Sequence, residues 1–528
     1  MSLDRRLAGV LLHPTSLPGR FGIGDLGPEC LRFLDWAKDA GLGYWQVLPL
    51  GPTSYGDSPY QCFSAFAGNP MLVSPEFLVE EGFARHEDLA PPPFPPNRID
   101  YGWVIQWKTE LLRGVFKRFQ TAKASAQAKD FDAFRKRKDV KLWLDDYALF
   151  RACKDLNDGR AWDQWDAKLR TRNKTALDRV RKEQAENIAF HEFCQYLFFA
   201  QWEHVRQAAR DRNIEIIGDA PIYVAYDSSD TWANQEIFHL DKNGLPVAVA
   251  GVPPDYFSKT GQLWGNPLYN WDELEKRKWD WWIARMESIF AMVDIVRLDH
   301  FRGFMGYWSV PFGEKTAVKG TWVKGPGAKL FVALKKHFKD LPIIAEDLGE
   351  ITSDVIAVRD EFALPGMKIM QFAWGAAQMD PLIPDPGHGF HPHAHTQNCV
   401  VYTGTHDNDT TLGWWRNSSS TAEHRLLQTY LSTDGALPHW DLIRASFMSV
   451  ANTAVIPMQD FLGLDSEARM NFPGKAEGNW TWRMRPEQMT AELSRHIRNL
   501  TLLYQRCATP PEVAIAKVDL AKERYLEG

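Results

Sequence analysis

Eight short apolar segments, each running into a polar or glycine-bearing loop, constrain this chain more than any other feature. They are LAGVLLHPTS, GYWQVLPLGP, IEIIGDAPIY, DIVRLDHFRG, LPIIAEDLGE, MKIMQFAW, VVYTGTHDND and TAVIPMQDFLG. Continuous apolar runs without polar alternation are what parallel strands covered on both faces look like. Helix-like stretches lie between several of them, including ECLRFLDWAKDAG, EQAENIAFHEFCQYLFFAQWEHVRQAARDR and GAKLFVALKKHF. Eight strand–helix units predict an α/β fold, a (β/α)8 TIM barrel. The whole chain, 1–528, reads as one such domain with large inserted subdomains. Residues 52–213 read as a mainly helical insertion after the second strand, and 225–290 as a second insertion. Residues 304–326 and 375–398 read as further long connections, of the kind that serve as lids and binding loops. The helix-like tail EQMTAELSRHIRNLTLLYQR closes the barrel, with no separate C-terminal β-domain expected.

Near the N-terminus, Gly22, Gly24 and Gly27 in FGIGDLG spell G-x-G-x-x-G. A dinucleotide site needs those glycines in the turn joining a strand directly to a helix, and an acidic residue at the end of the next strand. Here HPTSLPGR intervenes, and the next strand ends in Leu50-Gly51-Pro52. The reading is a loop leading into a helix that starts at Pro28, a favoured position for proline.

Composition removes other classes. A net charge of −6 and basic runs interleaved with acids give no nucleic-acid footprint. No apolar run approaches the ~20 residues that span a bilayer, and no signal-peptide pattern opens the chain, so no membrane partner and a cytoplasmic location are expected. Cys30, Cys62, Cys153, Cys194, Cys399 and Cys507 are widely spaced and form no CxxC pair, as reduced thiols would. The chain has 22 tryptophans, and Trp264, Trp271, Trp308, Trp322, Trp414, Trp415, Trp480 and Trp482 fall in loop-like sequence. Aromatic faces pack against the C–H faces of sugars, which tilts the reading toward carbohydrate.

In a barrel, catalytic groups come from the C-terminal ends of strands. Those ends supply Asp219, Arg297, Asp299, Glu346, Asp347, His406 and Asp407. Several carboxylates and one cation at one mouth suit glycosidic chemistry, which sets two carboxyl groups against an oxocarbenium-like transition state. Arg297 and Asp299 stand two apart on a strand, so their side chains share a face. The guanidinium would hold Asp299 ionised, as a nucleophile requires. A carboxyl group crowded by others stays protonated, as a general acid requires, and spacing leaves Glu346 and Asp347 equally eligible. Asp407 is a third carboxylate, and His406 a hydrogen-bond donor to sugar hydroxyls. The DND at 407–409 lacks calcium-loop spacing, and the histidines of GHGFHPHAH (His388, His391, His393, His395) have neither an HExxH helix nor a cysteine pair beside them.

Seven segments together resemble the 4-alpha-glucanotransferases, or amylomaltases. These are HPTSLPGRFGIGDLG, GDSPYQCFSAFAGNP, GVPPDYFSKTGQLWGNPLY, VRLDHFRGF, IIAEDLGEIT, LPGMKIMQFAW and VVYTGTHDNDTTLGWW, in order from about residue 8 to about 505. The resemblance implies a retaining transglycosylase that moves α-1,4-glucan segments between maltodextrins, with glucose also an acceptor. It implies Asp299 as nucleophile, Glu346 as acid/base and Asp407 as transition-state stabiliser. Tyr60, Asp219, Trp264, Arg297, His300 and His406 match the substrate shell, and Tyr55 and Tyr101 a second glucan contact. Residues 251–267 are similar to a lid over bound glucan. No metal, no organic cofactor and a monomer or weak oligomer are implied. Where the family shows something like PHNY, this chain has PHAH, Pro392 to His395. The rival readings are an α-amylase-like hydrolase with the same triad and a non-catalytic glycan-binding barrel, which would have lost a carboxylate.

Overall fold

The computed structural model describes residues 2–121, 126–254, 258–375, 389–475 and 477–510. All eight apolar segments are strands: β1 Leu7–Leu11, β2 Tyr44–Gln46, β3 Glu215–Pro221, β4 Ile295–Asp299, β5 Ile343–Ala345, β6 Gly366–Ile369, β7 Cys399–Tyr402 and β8 Thr453–Pro457. They form one parallel sheet in the order β6-β7-β8-β1-β2-β3-β4-β5. The Ala345 amide donates to the Pro365 carbonyl at 2.9 Å, which brings β5 against β6 and closes the barrel.

Strand parity decides what fills it. Leu7, Leu11, Tyr44, Ile217, Ile295, Ile344, Met367, Ile369, Val400, Tyr402 and Val455 pack together inside. Ala8, Val10, Ile216, Val296, Leu298, Ile343 and Ala345 face the surrounding helices. Both faces are therefore apolar, which explains the unbroken runs in the sequence. Gly9 shares the inward parity of Leu7 and Leu11, and a Cβ there would stand 2.6 Å from Tyr44 Cβ. The missing side chain makes room for the tyrosine.

The loop after β1 leads into the helix Pro28–Asp39, whose first residue is that proline and whose buried face is Cys30, Phe33, Leu34, Trp36 and Ala37. In that loop a Cβ on Gly24 would lie 2.1 Å from the Pro14 carbonyl oxygen. Gly24 is thus explained by tight packing of the loop on itself, while a Cβ on Gly22 would run into Phe94 and one on Gly27 into Ser74. Between β2 and β3 run the helices Tyr101–Thr121, Ala126–Lys136, Leu144–Leu156, Lys174–Glu183 and Ala185–Arg210. Phe83, Phe116, Phe119, Phe131 and Phe193 knit several of them together, with Phe119 and Phe193 stacked at 4.5 Å.

One element departs from the expectation of long connections. Strands Gln262–Pro267, Ala248–Val252, Gly306–Pro311 and Thr321–Lys324 form an antiparallel sheet in that order. It draws on both stretches read as loops, 225–290 and 304–326. All four strands are short and three of them are part-exposed, so they lack the continuous apolar signal of the barrel strands. Among the described residues no helix is long and apolar enough to cross a membrane, and all six cysteines are free thiols.

Candidate active site

The C-terminal ends of β3, β4, β5 and β7 bring the predicted groups together. Asp219 and Arg297 are direct cross-strand partners on β3 and β4. Arg297 Nη1 lies 2.6 Å from Asp219 Oδ2 and 2.9 Å from Asp299 Oδ1, so one guanidinium holds both carboxylates. Burial opposes the charge on Arg297, but Asp219 and Asp299 outweigh it and hold the guanidinium firmly protonated. Asp219 is wholly buried, while Asp299 keeps 28% of its side chain exposed. The inner member of the pair therefore anchors the arginine, and the outer one faces solvent.

Strand parity also separates Glu346 from Asp347. Ile344 points into the barrel, so Glu346 continues inward and Asp347 does not. Asp347 is instead consumed by structure: it pairs with Arg359 at 2.6 Å and accepts the Met367 amide at 2.7 Å. Glu346 accepts backbone amides from His300 (2.7 Å) and Leu348 (3.2 Å). Burial, reinforced by Asp299 and Asp347, pushes its carboxyl up to about 8. Arg297 and the His300 amide pull the other way and lose. The fold thus sets a cation near Glu346, yet the direction expected of an acid survives.

His300 occupies the left-handed backbone region at φ 51°, which turns its amide onto Glu346. Its ring meets the edge of Trp264 at 4.8 Å, and burial lowers its pKa to about 4, leaving it neutral. Tyr60 donates its hydroxyl to Asp219 Oδ2 at 2.9 Å and lies 3.2 Å from His406 Nδ1, with the two rings stacked at 4.7 Å. His406 Nε2 stands 3.5 Å from Asp407 Oδ2. The loop carrying His406 and Asp407 is fixed from below by Asp460, which accepts from Thr411 through both amide (2.7 Å) and hydroxyl (2.8 Å).

A cleft of about 440 Å³ opens over these groups, with Asp299, Asp407, Tyr60 and Trp264 in its wall. Tyr55, 77% exposed, lies on its rim. Tyr101 is buried, its hydroxyl donating to the Trp480 carbonyl at 2.8 Å. Of the eight loop tryptophans, Trp264 and Trp480 line the cleft. Trp271 and Trp414 are core, so abundance alone overstated their number at the site. Lining residues that sequence reading missed include Asn471 and Lys475 on the loop after β8, and Gln262 and Asn266 on the antiparallel sheet. No strand-end carboxylate marks either segment.

The metal-like motifs have other occupations. Asp409 accepts from the Thr410 amide (2.8 Å) and the Ser466 hydroxyl (2.7 Å). His395 contacts Ser449 Oγ at 2.7 Å and His393 contacts the Tyr430 hydroxyl at 2.7 Å. His388 and residues 255–257 of the expected lid lie outside the described residues.

Comparison with known proteins gives the family. Residues 12–490 match the family model described as 4-alpha-glucanotransferase. A 4-alpha-glucanotransferase of Thermus thermophilus is 48% identical over 95% of this chain and 99% of its own length. One from Synechocystis sp. is 48% identical over 96% and 99%. The solved structure of an amylomaltase from Streptococcus agalactiae in complex with acarbose is 38% identical, with a TM-score of 0.90 over 95% of this chain and all of that one. With agreement running through fold and nearly the whole length, this chain belongs to the 4-alpha-glucanotransferase (amylomaltase) family, enzymes that transfer α-1,4-glucan segments.

Proposed function

We propose that this protein moves α-1,4-glucan segments by a retaining mechanism in which Asp299 is the nucleophile, Glu346 the acid/base and Asp407 the transition-state stabiliser. The observation that carries the reading is the opposed setting of two neighbouring carboxyls. Asp299 is held by Arg297 at 2.9 Å, while burial keeps Glu346 protonated to about 8. Protonated Glu346 gives its proton to the glycosidic oxygen as Asp299 attacks C1, so the bond to the departing chain breaks while an ester to Asp299 forms. The 4-hydroxyl of a second glucan then gives its proton to the Glu346 carboxylate as its oxygen displaces Asp299 from C1. Asp407, half-exposed in the cleft wall, grips the sugar hydroxyls and offsets oxocarbenium charge. Tyr60, Asp219, Trp264, Arg297, His300 and His406 hold the donor unit. Two carboxyl groups suffice for this chemistry without metal or cofactor.

Donors and acceptors are maltodextrins, including those from starch or glycogen, with glucose as the smallest acceptor. The described parts of the expected lid, 251–254 and 258–267, close over bound glucan and exclude water from the ester, which favours transfer over hydrolysis. The enzyme acts in the cytoplasm as a monomer or weak oligomer. The test is incubation with maltotriose alone. Glucose with a ladder of longer maltodextrins, at constant total reducing ends, supports transfer. Rising reducing ends with only shorter products would give the site to the α-amylase-like reading. In a glucan-bound crystal structure, the Asp299 and Glu346 carboxyl oxygens should stand about 5–5.5 Å apart, the retaining range.

A further inference from the structure

Unlike Asp299, which Arg297 holds, Asp407 has no guanidinium bonded to its side chain among the described residues. It stands on the loop beyond β7, and half of its side chain is exposed. What fixes it comes from the loop after β8. Asn471 Nδ2 donates to Asp407 Oδ1 at 2.7 Å. The Asn471 amide donates to the His406 carbonyl at 3.2 Å. Arg469 completes the clamp: Nη2 donates to the Asp407 carbonyl (2.6 Å) and Nε to the Asn471 carbonyl (2.7 Å). One planar fork therefore fixes the backbones at both ends of the Asn471–Asp407 bond. The Arg469 guanidinium lies over the Phe472 ring at 4.4 Å, and the Asn479 side chain accepts the Phe472 amide at 2.9 Å, so the loop is braced as well as attached.

The chemistry of the donor matters. An arginine in place of Asn471 would neutralise part of the carboxylate's charge, as Arg297 does for Asp299. An amide satisfies one oxygen by direction alone and leaves the full negative charge for the transition state. We propose that Asn471 is a positioning residue for Asp407, orienting its carboxylate toward the sugar while Arg469 locks the two backbones. This rests on the reading of Asp407 as transition-state stabiliser, and assigns part of the catalytic geometry to a loop that carries no catalytic group.

The test compares Asn471→Ala, Asn471→Asp and Asp407→Asn on maltotriose, with thermal melting of each. Asn471→Ala should lower kcat by about 10- to 100-fold, the rate equivalent of one hydrogen bond to a charged group, with KM changed far less and melting unmoved. Asn471→Asp would set two carboxylates within hydrogen-bond distance, where they share a proton. Its kcat should be low at neutral pH and partly recover on acidification, a profile that lost packing alone does not produce. In an Asp407→Asn background, Asn471→Ala should add little, since the charge whose direction Asn471 sets is already gone. A raised KM at unchanged kcat in Asn471→Ala, with Asp407→Asn inactive, would overturn the positioning role and leave the triad standing. An active Asp407→Asn variant would instead remove the stabiliser reading itself.

Discussion

The two ends of this barrel handle buried arginine in opposite ways. At the mouth, Arg297 is shared between two carboxylates, and one of them, Asp299, still faces the cleft. At the floor, Arg506 is wholly buried and donates to the carbonyls of Phe447, Leu7, Asn452, Ser449 and Ala451. Arg6 binds three of the same carbonyls, at Phe447, Ser449 and Ala451, and also that of Tyr504. Burial, with Arg6 beside it, works against the charge on Arg506. The floor spends cations on saturating the backbone where strands begin and the last helix returns. The mouth spends one on keeping charge concentrated but accessible. Equal burial thus serves stability where every donor is matched, and chemistry where an acceptor is left facing the cleft.

That contrast can be broken from either end. The largest effect belongs to the mouth: Asp299→Asn should cut transfer on the order of 10⁴-fold or more while circular dichroism and melting stay near wild type. An active Asn variant would take the nucleophile role from Asp299.

Next comes pH. Activity should fall about tenfold per unit as pH rises past about 8, where Glu346 loses its proton. The folded pKa of Glu346 lies above its unfolded value of 4.5, so ionisation favours the unfolded chain, increasingly from pH 4.5 up to about 8. Glu346→Gln should therefore raise the melting temperature at pH 8 and leave it unchanged near pH 4, while abolishing turnover. A stabilisation equal at both pH values would refute the linkage.

At the floor, Arg506→Met should cost about 2–4 kcal/mol by leaving buried carbonyls without a donor. Denaturant unfolding measures the loss, and kcat of the folded enzyme should not change. Arg6→Ala should cost less, about 1 kcal/mol, because its guanidinium is only partly buried. If either floor variant lowered kcat without lowering stability, the division between the two ends would fail.

What the sequence disclosed follows from which signals are local. The barrel strands are buried on both faces, so their apolar runs stand out, and strand-end carboxylates fall at fixed offsets from them. Choosing Glu346 over Asp347 needed only the parity of Ile344, but that parity is set by which face packs inside. The antiparallel sheet escaped notice because its strands carry glycines and exposed positions, as in GVPPDYFSKTGQLWGNP. Asn471 was invisible for another reason: its bond to Asp407 spans 64 residues, and an asparagine in NFPGK reads as an ordinary turn. Tryptophan content pointed to sugar but could not tell cleft from core.

The closure between β5 and β6 has a consequence for motion. There the barrel is joined by the Ala345–Pro365 backbone bond, and Asp347 adds a stitch by accepting the Met367 amide at 2.7 Å. A closed cylinder with one lightly sewn seam should open along that seam before it melts elsewhere. The lip of this seam carries Glu346, so in the adjacent pair Glu-Asp one residue is the proposed proton carrier and its neighbour keeps the wall shut beside it. Amide exchange at Ala345 and Met367 would time the breathing of the wall on which Glu346 sits.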